Sequence, residues 1–175
     1  MVKQKLRTKD IALMGLLMAL QLIFTRFLSI ETPFLRIGFS FIPTVIMGII
    51  FGPLLTGVGS TLSDFIGISL FAKTAPYFPG FSLSAFLGGA IYGYFFYKKE
   101  ITLKRVILAK LVVSLVVSLL LNTTWLYMMM GQAALVQLPI RIARIVIAFP
   151  IEVFIIYYLG NHRILKQQIQ RFQKN

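Results

Sequence analysis

The chain has 175 residues, 58% of them hydrophobic and only 13% charged; this excludes a soluble domain of that size, for which about 25% charge is usual. The formal net charge of +13 does not mark a nucleic-acid protein, because the cations are scattered between apolar runs and not gathered on a polar domain. With no cysteine, neither a disulfide frame nor a thiolate metal site can be built. What remains is an integral membrane protein.

A helix needs about 20 apolar residues to cross the hydrocarbon, and the chain offers such stretches in series. Residues 9–28 form the first, preceded by Lys3, Lys5, Arg7 and Lys9. Its apolar run is long and lacks a small-residue cleavage site, so it is read as a retained span and not a signal peptide. The connector over 26–44 then crowds Arg26, Glu31, Pro33, Arg36 and Pro43 between two hydrophobic segments. Residues 39–52 make a short second segment, roughly two-thirds of a bilayer at about 1.5 Å per residue. Gly52-Pro53 turns it into a third span over 53–71, and the prolines and aromatics of 72–80 predict a loop. Further spans follow at 81–97, 102–129 and 139–160, joined by a basic connector and by a turn over 131–139. The predicted fold is all-α: six transmembrane helices in one domain over 1–175, with both termini on one side.

The charges say which side. Lysines and arginines cluster in the N-terminal arm, in the 98–110 connector (Lys98, Lys99, Lys104, Arg105 and Lys110) and in the tail from Arg163 to Lys174. By the positive-inside rule these three segments mark the cytoplasm. Arg26, Arg36, Lys73, Arg141 and Arg144 then fall at the outer ends of helices or in outer loops, opposed there by Glu31 and Asp64 alone. Each could snorkel to the outer headgroups. Together they point to an anion captured from outside, since cations at membrane depth tend to face a cavity or a partner.

Other polar and aromatic groups fall at the same depth. Asn122, Thr123, Thr124, Trp125 and Tyr127 lie near the outer end of the fifth span, and Phe81, Ser82 and Ser84 at the outer start of the fourth. Arg141 and Arg144, three apart, share a helix face. A pocket with aromatic walls and a few convergent polar groups suits a small molecule, although Trp125 also fits an interfacial aromatic belt, as Tyr157 and Tyr158 do. Asp64 must find donors in its helix or protonate. It either pairs with an arginine or accepts two hydrogen bonds from an amidine-like edge of a ligand. Glu152 reads as a polar contact inside the bundle. Ala12, Gly15 and Ala19 line one stripe of the first span, which suits close helix packing within the chain or against a partner.

Motifs for chemistry are missing. The chain has no phosphate-binding GxxxxGK[ST] loop, no serine in a nucleophile elbow and no His/Asp/Glu cluster at metal spacing, and His162 stands alone in the basic tail. The expectation is a binding protein, not an enzyme, with no metal or cofactor.

The run Gly38-Phe39-Ser40-Phe41-Ile42-Pro43, six short helices and the small-residue stripe resemble the substrate-binding S components of energy-coupling factor (ECF) vitamin transporters. Thr25-Arg26-Phe27, Pro33 to Pro43, Leu62-Ser63-Asp64 and Tyr77-Phe78-Pro79-Gly80-Phe81 are most similar to the folate-specific members. The resemblance implies a bacterial plasma-membrane protein that captures a vitamin from outside and topples in the membrane to deliver it. Energy would come from a transmembrane scaffold subunit and two cytoplasmic ATPases. Ala12, Gly15 and Ala19 would meet the scaffold, and the first connector and the 72–80 loop would close over the ligand. Folate has a flat pterin and a glutamate tail with two carboxylates. Asp64 would suit the pterin's amino-pyrimidine edge, Trp125 and Phe81 its rings, and Arg26, Arg36, Lys73, Arg141 and Arg144 its carboxylates, with Asn122 beside them. Two other readings stay open: an S component for another anionic vitamin such as pantothenate, or a membrane structural or signalling protein whose cations bind anionic lipids.

Overall fold

The structure, a computed structural model, describes residues 7–31, 36–70 and 78–162, and only the backbone at 30, 31, 36 and 37. Helix α1 (Thr8–Arg26) leads into a two-stranded antiparallel hairpin, β1 (Ser29–Glu31) and β2 (Arg36–Gly38). Helices α2 (Phe41–Leu70), α3 (Pro79–Phe96), α4 (Leu103–Met130), the one-turn α5 (Ala133–Val136) and α6 (Leu138–Asn161) follow. Four of these, α1, α2, α4 and α6, are long and apolar enough to cross a membrane. Their outer faces carry Leu54, Val146, Ile147 and Phe154, all strongly exposed as lipid-facing residues must be. Within the bundle, hydroxyls bond back to the preceding turn, Thr25 to the Gln21 carbonyl and Thr44 to that of Ser40, so that they are not stranded in apolar surroundings.

Helix α2 has 30 residues, about 45 Å if straight, against a hydrocarbon layer of about 30 Å. It is not straight. Gly52 adopts φ +80°, non-helical, and Pro53 follows without an N–H, so the backbone turns where the sequence predicts. The turn is packed from the side by α3, which runs antiparallel along α2: an added Cβ at Gly93 would lie 2.5 Å from Pro53, and one at Gly89 2.7 Å from the Thr56 carbonyl. Backbone approach this close needs residues without side chains. Gly93→Ala is therefore expected to lower stability by about 1–3 kcal/mol through overpacking, read as a fall in thermal midpoint of the detergent-solubilised protein.

The core sits between these helices: Val45, Met47, Phe96, Val106 and Ile156 are fully buried, and Tyr92 stacks on Phe96 at 6.0 Å. Between α3 and α4 the turn is tight. Lys99 donates to the Tyr94 carbonyl over that tyrosine's ring, and Arg105 donates to the Glu100 carbonyl. Helix α6 lies antiparallel to α4, pinned at this end by Asn161 Nδ2 donating to Ile101 O at 3.1 Å.

Two features depart from the sequence reading. The connector over 26–44 contains a hairpin, with Ser29 opposite Gly38 so closely that an added Cβ at Gly38 would lie 2.7 Å from the serine's. Lys110 does not belong with the basic connector. Helix α4 starts at Leu103, which carries Lys110 about 10 Å along the axis into the bundle, where it is buried and ion-paired with Glu152. Glu152 is the internal polar contact expected of it.

Candidate functional site

At the end of the bundle that bears the hairpin, the last turn of α1, the far half of α2, the start of α3, the end of α4 and the start of α6 converge. The centre of this cluster is Trp125. Its indole N–H donates to Ser84 Oγ at 3.0 Å, and its ring lies 5.9 Å from Phe78, which in turn makes an edge contact with Phe81 at 6.2 Å. Gly80 sits directly beneath the indole; an added Cβ there would come within 2.5 Å of the ring. Pro79 begins α3, where a missing N–H costs nothing, and so fixes Phe78, Gly80 and Phe81 around the tryptophan.

Ser82 and Ser84 are two apart on α3 and so point to different neighbours. Ser84 meets α4 through Trp125, whereas Ser82 Oγ donates to Asp64 Oδ2 on α2 at 3.2 Å. Asp64 is half-buried. Gly67, three residues further along the same face of α2, is covered by Arg26: an added Cβ would lie 2.9 Å from Arg26 Nε. Arg26 is only 2% exposed. The structure thus brings Arg26 and Asp64 to one face of α2, with the aromatic cluster across α3.

Arg141 and Arg144 are placed differently. Both terminal nitrogens of Arg141 are engaged by α4, Nη1 donating to Thr123 Oγ1 at 2.9 Å and Nη2 to the Ser118 carbonyl at 3.1 Å. It is a brace that holds the end of α4, and with it Trp125, against α6. Arg144 lies one turn deeper and lines a small cavity with Ser114, Ser118 and the Lys110–Glu152 pair. Asn122 is half-buried, and its Oδ1 has no hydrogen-bond partner among the described residues. Lys73 lies outside the described residues, as does the side chain of Arg36. The small-residue stripe of α1 faces away from the bundle: Ala12, Gly15 and Ala19 are exposed, and an added Cβ at Gly15 would touch nothing within 4 Å. Packing among the described residues does not account for it.

The sequence reading named Phe78 only within the 77–81 run and gave no role to this aromatic that bridges Phe81 and Trp125, and it did not name Gln21, a buried amide on α1 whose Oε1 has no hydrogen-bond partner among the described residues. Gln21 carried a signal, being a polar side chain in the middle of an apolar helix. Among the described residues no group of three or more His, Cys, Asp or Glu could hold a metal.

Comparison with known proteins agrees with this architecture. The family model for the ECF transporter substrate-specific component matches residues 9–160. The folate transporter FolT of Clostridium novyi (strain NT) is 48% identical over 144 residues, covering 82% of this chain and 83% of that one. FolT of Leuconostoc mesenteroides is 30% identical over 173 residues, 95% and 92% of the two chains. A crystal structure of FolT bound with folic acid superposes with a TM-score of 0.84 at 51% identity, over 89% of this chain and 96% of that one. The protein is a membrane protein of the transporter family whose members are the substrate-specific components of ECF transporters.

Proposed function

We propose that the protein is the folate-capturing S component of an ECF importer, a bacterial plasma-membrane subunit that binds the vitamin and carries no ATPase of its own. One observation carries the reading: a half-buried carboxylate, a buried arginine and an aromatic cluster meet at one end of the bundle, in a chain half identical to a FolT solved with folic acid. Asp64 accepts hydrogen bonds from the pterin's amino-pyrimidine edge, and Trp125 and Phe81 flank the rings. Asn122 offers its amide oxygen, and Arg26 pairs with a carboxylate of the glutamate tail. Arg36 and Lys73, in the segments bordering this end, complete the anion-binding set. Arg141 positions Trp125 instead of gripping the ligand.

The proposed topology counts six passes, because α2 divides at Gly52 into two arms and α3 runs back beside them. Both termini then face the cytoplasm with the basic arm, connector and tail, and the folate site opens outward. Mass spectrometry of small molecules released from the purified protein tests the assignment. Folate or a reduced folate at near-equal amount to protein supports it; pantothenate, or no vitamin at all, overturns it.

The open face of Ala12, Gly15 and Ala19 is proposed to dock the transmembrane scaffold subunit, through which two cytoplasmic ATPases drive transport. A small-residue face lets a partner helix approach closely in lipid. Gly15→Leu is expected to leave folate affinity unchanged, since nothing in the bundle lies near that position. Recovery of the assembled complex by co-purification should fall about tenfold, or about 1.4 kcal/mol.

A further inference from the structure

Over Val113–Leu121 helix α4 is widened, its backbone N–H groups reaching one residue further back than in an α-helix. Such segments are rare and frequent at functional sites. The last of the wide bonds joins the Asn122 N–H to the Val117 carbonyl, and from Asn122 to Met130 the helix is α again. A ladder that returns to α geometry at this point pairs Thr123 with Leu119 and passes over one carbonyl, that of Ser118. Inside a membrane bundle a backbone carbonyl must find another donor. Arg141 supplies it: Nη2 donates to the Ser118 carbonyl at 3.1 Å, and Nη1 donates to Thr123 Oγ1 at 2.9 Å. The guanidinium, in a residue only 9% exposed, thus clasps the two residues between which the ladder changes, and its planar fork suits two acceptors at once.

What the wide ladder decides is rotation. Between Lys110, ion-paired with Glu152 on α6, and the end that bears Asn122 and Trp125, it holds one residue more than an α-helical ladder would. Closing to α with that residue kept would turn everything beyond it by about 100° around the helix axis. Trp125 would then leave Ser84 and Phe78, which it meets at 3.0 Å and 5.9 Å. Asn122, three residues before Trp125 on the same face, would swing with it. We propose that the wide ladder of Val113–Leu121 sets the rotation at which α4 presents Trp125 and Asn122 to the ligand, and that Arg141 is the positioning residue that holds this register. The consequence for folate rests on the folate reading; the register does not.

A suppressor experiment on the purified full chain tests it, with two readouts: Trp125 emission without ligand, and folate affinity. Arg141→Met leaves the Ser118 carbonyl without its donor; the emission maximum should shift and affinity should fall about tenfold. Arg141→Lys, which keeps the charge but not the fork, should remain impaired. Val116 lies in the middle of the wide segment and is exposed. Deleting it lets each N–H pair four residues back, the Ser118 carbonyl included, so the deletion alone should fold with unaltered emission. Combined with Arg141→Met, it should restore most of both readouts, since no carbonyl is then passed over. A brace or a ligand contact would not be rescued by shortening α4. The proposal is overturned if Arg141→Met leaves the emission unchanged, if the deletion alone unfolds the protein or shifts the emission, or if the combined variant is no better than Arg141→Met. Absence of folate binding in the unaltered protein would sink the folate reading instead, and the emission of the unliganded variants would still decide the register.

Discussion

Replacing Lys110 by methionine is expected to destabilise the bundle by about 3–5 kcal/mol, because it removes the ion partner of a Glu152 carboxylate that is nearly covered inside the bundle. The two side chains are ion-paired between α4 and α6, and both are nearly covered. An ion pair of this kind adds little net stability over a well-packed apolar pair, since each charge has lost its water, but half of it is costly to keep. The double variant Lys110→Met/Glu152→Leu should therefore recover most of the loss. Thermal or denaturant unfolding of the single and double variants measures both. If the single variant is as stable as the unaltered protein, the pair is not a buried one; if the double variant is no better than the single, the loss does not come from an uncompensated charge.

Asp64→Asn should weaken folate binding by about 2–3 kcal/mol, or about 30–150-fold. The carboxylate can accept from two N–H groups at once, whereas the amide presents one acceptor and a pair of donors that oppose those of the pterin edge. Because Ser82 donates to Asp64, the substitution also disturbs an α2–α3 contact, and Ser82→Ala serves as the control. That variant keeps the carboxylate and removes only the serine's hydrogen bond to it, so affinity should fall by less than about tenfold. Comparable losses in the two would assign Asp64 a packing role and take it out of the ligand contacts.

What the sequence made legible follows from periodicity and chain breaks. Helix ends fell within two or three residues of those observed because Gly52-Pro53, Pro79 and the charged 98–102 turn each forbid or cap a helix by local chemistry. Arg26, Asp64 and Trp125 stood out because polar groups at membrane depth need a reason to be there. The hairpin did not stand out, since its three-residue strands are too short for an alternating pattern and depend on the close approach of Ser29 and Gly38. Lys110 was misplaced because a charge count along the chain cannot see Glu152 arriving from α6, 42 residues later. The same limit applies to Arg141: its charge was visible, but its two acceptors on α4 were set by how the helices pack. Lys110, Ser114 and Ser118 recur every four residues in the sequence, but only the structure shows α6 bringing Arg144 and Glu152 to the same small cavity.

Trp125 is the protein's single tryptophan, and it sits in the proposed folate site, so its emission reports on that site alone. Titrating folic acid into the purified protein while following tryptophan fluorescence, with absorbance corrected, tests the central claim most directly. The predicted result is saturable quenching at one folate per protein, shifted to much higher concentration in Asp64→Asn and absent with pantothenate. Emission that stays unchanged through excess folic acid, or that responds to pantothenate instead, would contradict it.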